Sequence, residues 1–221
     1  MPARKPAAPI GVYLEEGQKR VFASAAAWPG WTRPGKTEAL ALQALQAYGP
    51  RYAAVARAAG QRFPDGAWEF AVSERLPGSA TTDFGAPGSR ADAEMAALGA
   101  AEAARLAELL EAAWTVFDEV VRAAPAELRK GPRGGGRDRD KIVAHVVSTE
   151  PIYAAKLGLK EREPDPGDTR AITEMRARIL QAVRGATGPR DAESKGWPPR
   201  YVVRRTAWHA LDHAWEIEDR S

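Results

Sequence analysis

The feature that most constrains the fold of this 221-residue chain is a change of hydrophobic pattern at residues 77–90. This stretch holds two Pro-Gly pairs among small polar residues, a composition typical of a loop or linker. Strand-like patterns precede it, and every apolar pattern after it has the spacing of an amphipathic helix. The sequence therefore predicts a disordered arm at 1–9, an α+β domain at 10–76 and an all-α domain at 91–221.

The N-terminal domain is predicted to fold in the order β-β-α-β. Short strands at 10–15 and 21–25 flank a polar turn, which indicates a hairpin. Apolar residues at helical spacing predict a helix over 36–59, kinked or split near Pro50 because proline lacks a helical N–H donor. Alternating apolar and polar residues predict a half-buried strand over 67–75.

Four amphipathic helices are predicted after the linker, and their moderate loops favour an up-down four-helix bundle. They cover residues 91–124, 139–157, about 169–185 and 201–220. Pro151 is expected to kink or break the second of them. A basic, glycine-rich stretch at 129–139 is interpreted as a solvated loop.

The composition argues against several classes of function. The chain has no cysteine, which excludes disulfides, thiolate metal ligands and cysteine nucleophiles. No apolar run approaches the roughly 20 residues of a membrane span, and the N-terminal sequence lacks a signal-peptide pattern, so a cytoplasmic location is expected. The net charge of +3 comes from well-mixed charges, so nucleic-acid binding is not expected.

The three histidines of the chain are its strongest functional signal. His209 and His213 stand four residues apart in the last predicted helix, which places them on one face. His145 lies beside apolar residues in the second predicted helix. Three protein ligands and an open position are typical of a catalytic metal site. The alternatives are a solvated helix face for the pair and an ordinary core histidine for His145.

Several charged residues near the histidines are candidates for supporting roles. Glu150, Asp212 and Glu216 could orient the imidazoles or move protons. Each is equally interpretable as a surface charge or a helix ion pair. Arg204 and Arg205 could receive an anionic substrate, although solvation at the surface is the commoner role of arginine.

The placement of these motifs resembles that of the DinB-like superfamily of metal-dependent helical bundles, also called YfiT-like. The matching positions are His145 in KIVAHVVSTEPIY, and His209 and His213 in TAWHALDHAWE. The resemblance covers residues 91–221 and implies that these histidines hold zinc, nickel or another divalent metal. Some members are thiol-dependent S-transferases or isomerases that use mycothiol or bacillithiol. The resemblance therefore implies that this chain is a metal-dependent thiol S-transferase or hydrolase, which acts on a small-molecule substrate or a low-molecular-weight thiol such as mycothiol.

The region 10–75 resembles the HicB-type antitoxin fold through its Pro29-Gly30 turn and the Thr37-Glu38-Ala39 start of its alanine-rich helix. The resemblance implies the fold and not the antitoxin role, because no DNA-binding segment accompanies it. The competing hypothesis is a non-enzymatic interaction or dimerisation module with a structural metal, in which the tryptophans form a partner surface. Core packing is the commoner role for Trp28, Trp31 and Trp68. A homodimer is the expected assembly.

Overall fold

The computed structural model describes residues 8–64, 68–131, 135–188 and 196–221. Over these residues it is an α+β structure, a four-stranded sheet followed mostly by helices. The elements are β1 Ile10–Glu16, β2 Val21–Ala25, β3 Thr32–Gly35, α1 Glu38–Ala58, β4 Phe70–Pro77, α2 Ala80–Phe84, α3 Asp92–Met95, α4 Ala100–Ala123, α5 Arg139–Lys156, α6 Thr169–Gly185 and α7 Pro199–Arg220. Most of the predicted disordered arm, the start of the strand predicted from residue 67 and parts of two predicted loops lie outside the described residues.

The sheet has the strand order β3-β2-β1-β4. The predicted hairpin is confirmed, because β1 pairs antiparallel with β2. Strand β4 returns parallel to β1 after the crossover through α1. Strand β3 was not predicted, since its four residues include Pro34. Proline cannot donate to a ladder, and the edge position of β3 is where a sheet accommodates it.

Neither internal proline ends its helix. Helix α1 runs through Pro50 and α5 runs through Pro151. Of the two alternatives predicted at each proline, a kink or a split, the split was therefore wrong. A proline inside a helix removes one N–H donor. Burial of the helix face offsets that loss, since most helical stability comes from packing of the apolar side. In α1 that side includes Leu45, Gly49 and Tyr52, all buried.

The helix predicted over 91–124 is two helices, α3 and α4. Between them the chain leaves the helical conformation and Leu98 forms a β-bridge with Gly188, whose N–H lies 2.9 Å from the carbonyl of Leu98. Gly99 then precedes α4. Glycine inside a helix costs roughly 1 kcal/mol relative to alanine, which favours a break at this position over a continuous helix.

The stretch predicted as a linker is tied to β1. The carboxylate of Glu15 is fully buried and accepts hydrogen bonds from the N–H groups of Gly88 and Ser89, at 2.9 and 3.0 Å. It also accepts the hydroxyl of Thr82 in α2. One buried carboxylate therefore organises this segment against the sheet.

Helix α7 also holds this segment. Arg205 donates to the carbonyl of Pro87 at 2.6 Å, and Arg204 donates to the carbonyl of Ser89 at 2.8 Å and to Glu94 at 2.6 Å. Both arginines are buried, so the interpretation of these residues as solvated was wrong. Their guanidinium groups donate hydrogen bonds to carbonyl and carboxylate oxygens of the same chain.

A single hydrophobic cluster joins the sheet, α1 and the helices that follow. Trp31 is fully buried and stacks on Tyr52, with ring centroids 5.6 Å apart. Trp28 is also buried, 6.0 Å from the same tyrosine ring. The core interpretation of these two tryptophans is confirmed, and they do not form the exposed aromatic surface that an interaction module would use.

Helix α4 packs against α6 and α7, and α7 packs against α5. Over the part of the chain that is described, no helix has the length and apolar character required to cross a membrane.

Candidate metal centre

Helix α7 supplies two of the three histidines and lies at the centre of the fold. Every residue from 201 to 211 is buried. One side meets the sheet region, where the ring centroids of Trp208 and Phe22 are 6.2 Å apart. Gly30 permits this approach, because its φ is +93° and an added Cβ would lie 2.8 Å from a side-chain carbon of α7. His209 is thereby carried into the interior, away from the solvated stripe on which the sequence placed it.

The structure brings His145, His209 and His213 together. Their ring centroids are 4.8 to 5.1 Å apart, and one ligand atom from each lies within 4.8 Å of the other two. The Nε2 atoms of His145 and His209 are 3.2 Å apart. Two nitrogens bound to one zinc ion at its usual distance are about 3.3–3.4 Å apart in tetrahedral geometry. The first pair is close to that spacing, and a ligand atom of His213 lies within 4.8 Å of both.

A hydroxyl fixes the tautomer of His209. Thr149 Oγ1 lies 3.1 Å from His209 Nδ1, and its own hydrogen goes to the carbonyl of Val146 at 2.8 Å. The oxygen can therefore act only as an acceptor toward the imidazole, so Nδ1 carries the proton. The lone pair of His209 then lies on Nε2, the atom that faces His145. Two imidazole nitrogens at this distance require a proton or a cation between them.

A carboxylate has the same effect on His213. Glu216 Oε2 accepts a hydrogen bond from His213 Nδ1 at 2.8 Å, which leaves Nε2 of that ring as the available nitrogen. Its other oxygen accepts from Arg220 at 2.6 Å. The hydrogen bond to His213 is the main cause that holds the pKa of Glu216 below its ordinary value. An imidazole whose second nitrogen donates to a carboxylate is the usual arrangement of a metal-binding histidine.

The protonation states favour metal binding. Burial lowers the pKa of His209 well below its ordinary value, and the charges of His213 and His145 add to the effect. Burial also lowers the pKa of His145, again with His213 contributing. A histidine must be neutral to bind a metal. These two imidazoles are therefore neutral near pH 7, and metal binding does not require the removal of a proton from either of them.

The three predicted carboxylates have different positions. Only Glu216 contacts a histidine. Asp212 accepts a hydrogen bond from Arg33 of β3 at 2.7 Å, and burial raises its pKa while Arg33 opposes the change. Glu150 is buried against Arg176 of α6, at 2.8 Å, and within the described residues no hydrogen bond joins it to the three imidazoles. Asp212 thus connects the site to the sheet, and Glu150 connects two helices.

Sequence reasoning missed two residues of the site. Thr149 has a signal that could have revealed it, because it lies four residues after His145 and therefore on the same face of α5. Arg33 has none, since it stands 179 residues before its partner Asp212. Its guanidinium lies 3.9 Å from the ring centroid of Tyr48, which also holds it in place.

Comparison with family models, with curated proteins and with solved structures gives no match for this chain. The candidate site therefore depends on its own geometry. That geometry consists of three convergent imidazoles, two of them with their second nitrogen already engaged.

Proposed function

We propose that this protein binds one divalent metal ion, zinc or nickel, through His145, His209 and His213. The observation that carries the proposal is the convergence of three ring nitrogens within 4.8 Å of one another. The contact of 3.2 Å between two Nε2 atoms adds to it, because Thr149 leaves the nitrogen of His209 without a proton. A cation bound by both lone pairs satisfies this arrangement.

The donor set supports a site with an open position. Neutral imidazoles leave a bound ion its full charge, and such an ion stabilises a thiolate or lowers the pKa of water toward 7. Glu216 holds the ring of His213, and Thr149 holds the ring of His209. Glu216 contacts His213 directly, so it is our candidate to accept a proton from a substrate. Arg33 and Asp212 fix α7 against the sheet beside these rings.

The packing supports a DinB-like four-helix bundle for the region after the linker. Helices α6, α4, α7 and α5 are consecutive neighbours, and the ion pair between Glu150 and Arg176 joins α5 to α6. The β-hairpin, helix and returning strand before residue 78 are compatible with the proposed HicB-like unit. On this basis the function we propose is a metal-dependent thiol S-transferase or hydrolase that acts on a small molecule.

Metal content tests the proposal. Purified protein should contain close to one equivalent of zinc or nickel, or take up one on titration. His213→Ala and His209→Ala should each reduce the affinity more than about 100-fold, because each removes a ligand where loss of a supporting residue already costs 10- to 100-fold. Glu218→Gln, an exposed carboxylate on the same helix, is the control and should bind normally. Equal metal affinity in all three variants would reject the site.

The competing hypothesis of an interaction module predicts a different result. A purely structural metal would be closed by a fourth protein ligand. Cobalt(II) substitution distinguishes the two, because an added thiol changes the visible spectrum of an open site and leaves that of a closed one unchanged. We expect a thiol-dependent change at about one equivalent of cobalt.

A further inference from the structure

A second candidate binding site lies where four helix ends meet. It is a cavity of about 540 Å³, lined by residues of α3, the end of α5, the residues just after α6 and the start of α7. None of the three histidines is part of its lining. Its volume falls within the roughly 300–1,000 Å³ that is usual for small-molecule sites, so a small organic ligand fits it.

Backbone hydrogen bonds fix the walls of this cavity. The N–H of Gly188, after α6, lies 2.9 Å from the carbonyl of Leu98, after α3. The N–H of Trp197, before α7, donates to the carbonyl of Lys156 at the end of α5, at 3.1 Å. All four residues line the cavity, so main-chain pairing sets the position of its walls.

The wall formed by Trp197 is aromatic. This tryptophan is half-buried, and its ring centroid lies 4.7 Å from that of Tyr201 and 6.1 Å from that of Tyr153. Leu98 and Leu157 line the cavity with it. Aromatic rings pack on one another in offset or edge-to-face arrangements, so this wall favours an aromatic ligand.

The carboxylates beside the cavity are already paired. Glu94 lines it and accepts a hydrogen bond from the buried guanidinium of Arg204 at 2.6 Å. Arg200 also lines it and donates to Glu102 at 2.9 Å. Neither acid is therefore free to balance a further positive charge.

Lys156 supplies that further charge. It lines the cavity, and its Nζ lies 5.3 Å from the centroid of the Trp197 ring. Within the described part of the chain no carboxylate forms an ion pair with it. An indole and an unpaired ammonium group therefore line the same cavity.

We propose that this cavity binds a small aromatic carboxylic acid, whose ring packs on Trp197 and whose carboxylate pairs with Lys156. The proposal goes beyond the metal function above and does not depend on it, because no lining residue is a proposed metal ligand. An ammonium group 5.3 Å from the indole centroid is within reach of a carboxylate on a ring that packs against the same indole. The ligand supplies the anion that Lys156 lacks among the described residues.

Calorimetric titration of the metal-free full chain tests this proposal. The probes are 2-naphthoate, which has an aromatic ring and a carboxylate, and 2-naphthalenemethanol, which has the same ring without the charge. The variants are Lys156→Gln and Trp197→Leu. Their matched controls are Lys160→Gln and Phe84→Leu, an exposed lysine and an exposed aromatic residue outside the lining.

We expect the wild type to bind 2-naphthoate more tightly than the alcohol. Lys156→Gln should weaken 2-naphthoate about two- to fivefold, the range of exposed charge pairs, and leave the alcohol unchanged. Trp197→Leu should weaken both probes about three- to tenfold, the range of aromatic ring pairs. Both controls should bind as the wild type does.

Three results would overturn the proposal. If the wild type binds neither probe, the cavity is not a site for aromatic ligands. Equal affinity for the two probes, or a Lys156→Gln variant that binds 2-naphthoate normally, removes the anionic specificity. A loss in either control as large as in its partner variant places the binding elsewhere. If Trp197→Leu does not fold, Lys156→Gln and its control decide the location.

One further variant concerns residues 189–195, which join two lining residues and lie outside the described part of the chain. Their two acids are removed together in Asp191→Asn/Glu193→Gln. This variant should bind both probes as the wild type does. If it binds 2-naphthoate more tightly by the factor that Lys156→Gln loses, with the alcohol unchanged, Lys156 already has a partner and its proposed role is wrong.

Discussion

Two parts of α7, called here its first half at residues 199–208 and its second half at residues 209–220, place polar groups in the interior in opposite ways. In the first half, Arg204 is buried against the carboxylate of Glu94, at 2.6 Å, so opposite charges meet. In the second half, His209 faces His145 of α5 with ring nitrogens 3.2 Å apart, and among the described residues no carboxylate forms a hydrogen bond with either ring. Both clusters are buried or half-buried on one helix. The first cluster has paired opposite charges and stabilises the fold. The second has no such pairing, so it is the one suited to bind a cation.

The difference has an energetic basis. A buried ion pair loses its solvation, and once formed it is costly to break from one side only. The histidine cluster needs no charged partner, because burying a neutral imidazole costs less free energy than burying a charged group. The first half of α7 should therefore control stability, and the second half should control metal binding. The predictions below test this division.

The largest effect is expected at Arg204. Arg204→Met leaves the buried carboxylate of Glu94 without its partner, which should lower the free energy of unfolding by about 3–5 kcal/mol. Denaturant titration measures it. The control is Arg170→Ala, which removes an exposed pair with Glu174 and should cost no more than about 0.5 kcal/mol. If Arg204→Met costs less than the control, the first half of α7 is not the stabilising one.

Metal should stabilise the chain through the histidine centre, to which the second half of α7 contributes His209 and His213. At a free metal concentration of 100 times Kd, zinc or nickel should raise the free energy of unfolding by about 2.7 kcal/mol. His209→Ala should abolish this increment, because the ligand set is then incomplete. Thermal unfolding with and without metal gives the comparison. An increment that survives in the variant places the metal elsewhere in the chain.

Thr149→Val tests the acceptor that holds the tautomer of His209. Without the hydroxyl, Nδ1 loses its acceptor and the ring is free to rotate, so metal affinity should fall about 10- to 100-fold. The control is Ser148→Ala, because within the described part of the chain the Ser148 hydroxyl bonds the carbonyl of His145, at 3.0 Å, and no imidazole. Competition with a chelating dye measures both affinities. Equal affinities in the two variants would show that Thr149 has no orienting role.

Local features of the site were predictable from the sequence. The four-residue spacing of His209 and His213 places them on one face of any helix, and the carboxylate at position 216 follows at the next helical neighbour. The hairpin of β1 and β2 was equally readable, since alternation and a polar turn are properties of adjacent residues. These features depend on spacing within one element.

Long-range pairings were not predictable. Arg33 and Asp212 are 179 residues apart, and Arg204 and Glu94 are 110 apart. The hydrophobic periodicity of the sequence does not indicate which charged residues pair between different helices and strands. For that reason Arg204 was assigned to the surface, where most arginines lie. Strand β3 was missed for a related reason. Its proline is tolerated because β3 lies at the edge of the sheet, and that position depends on long-range pairing.

The smallest predicted effect concerns pH in the metal-free chain. Burial lowers the pKa of His209 in the folded state, so below the ordinary value of about 6.5 the unfolded chain binds a proton that the folded chain does not. Stability should then fall as pH drops from about 6.5, by at most about 1.4 kcal/mol per pH unit for this group. His209→Gln should reduce that slope, and subtracting the two curves removes the carboxylates common to both. Identical slopes in chelator-treated wild type and variant would mean that His209 is protonated when folded, and the centre would then repel a cation in place of binding it.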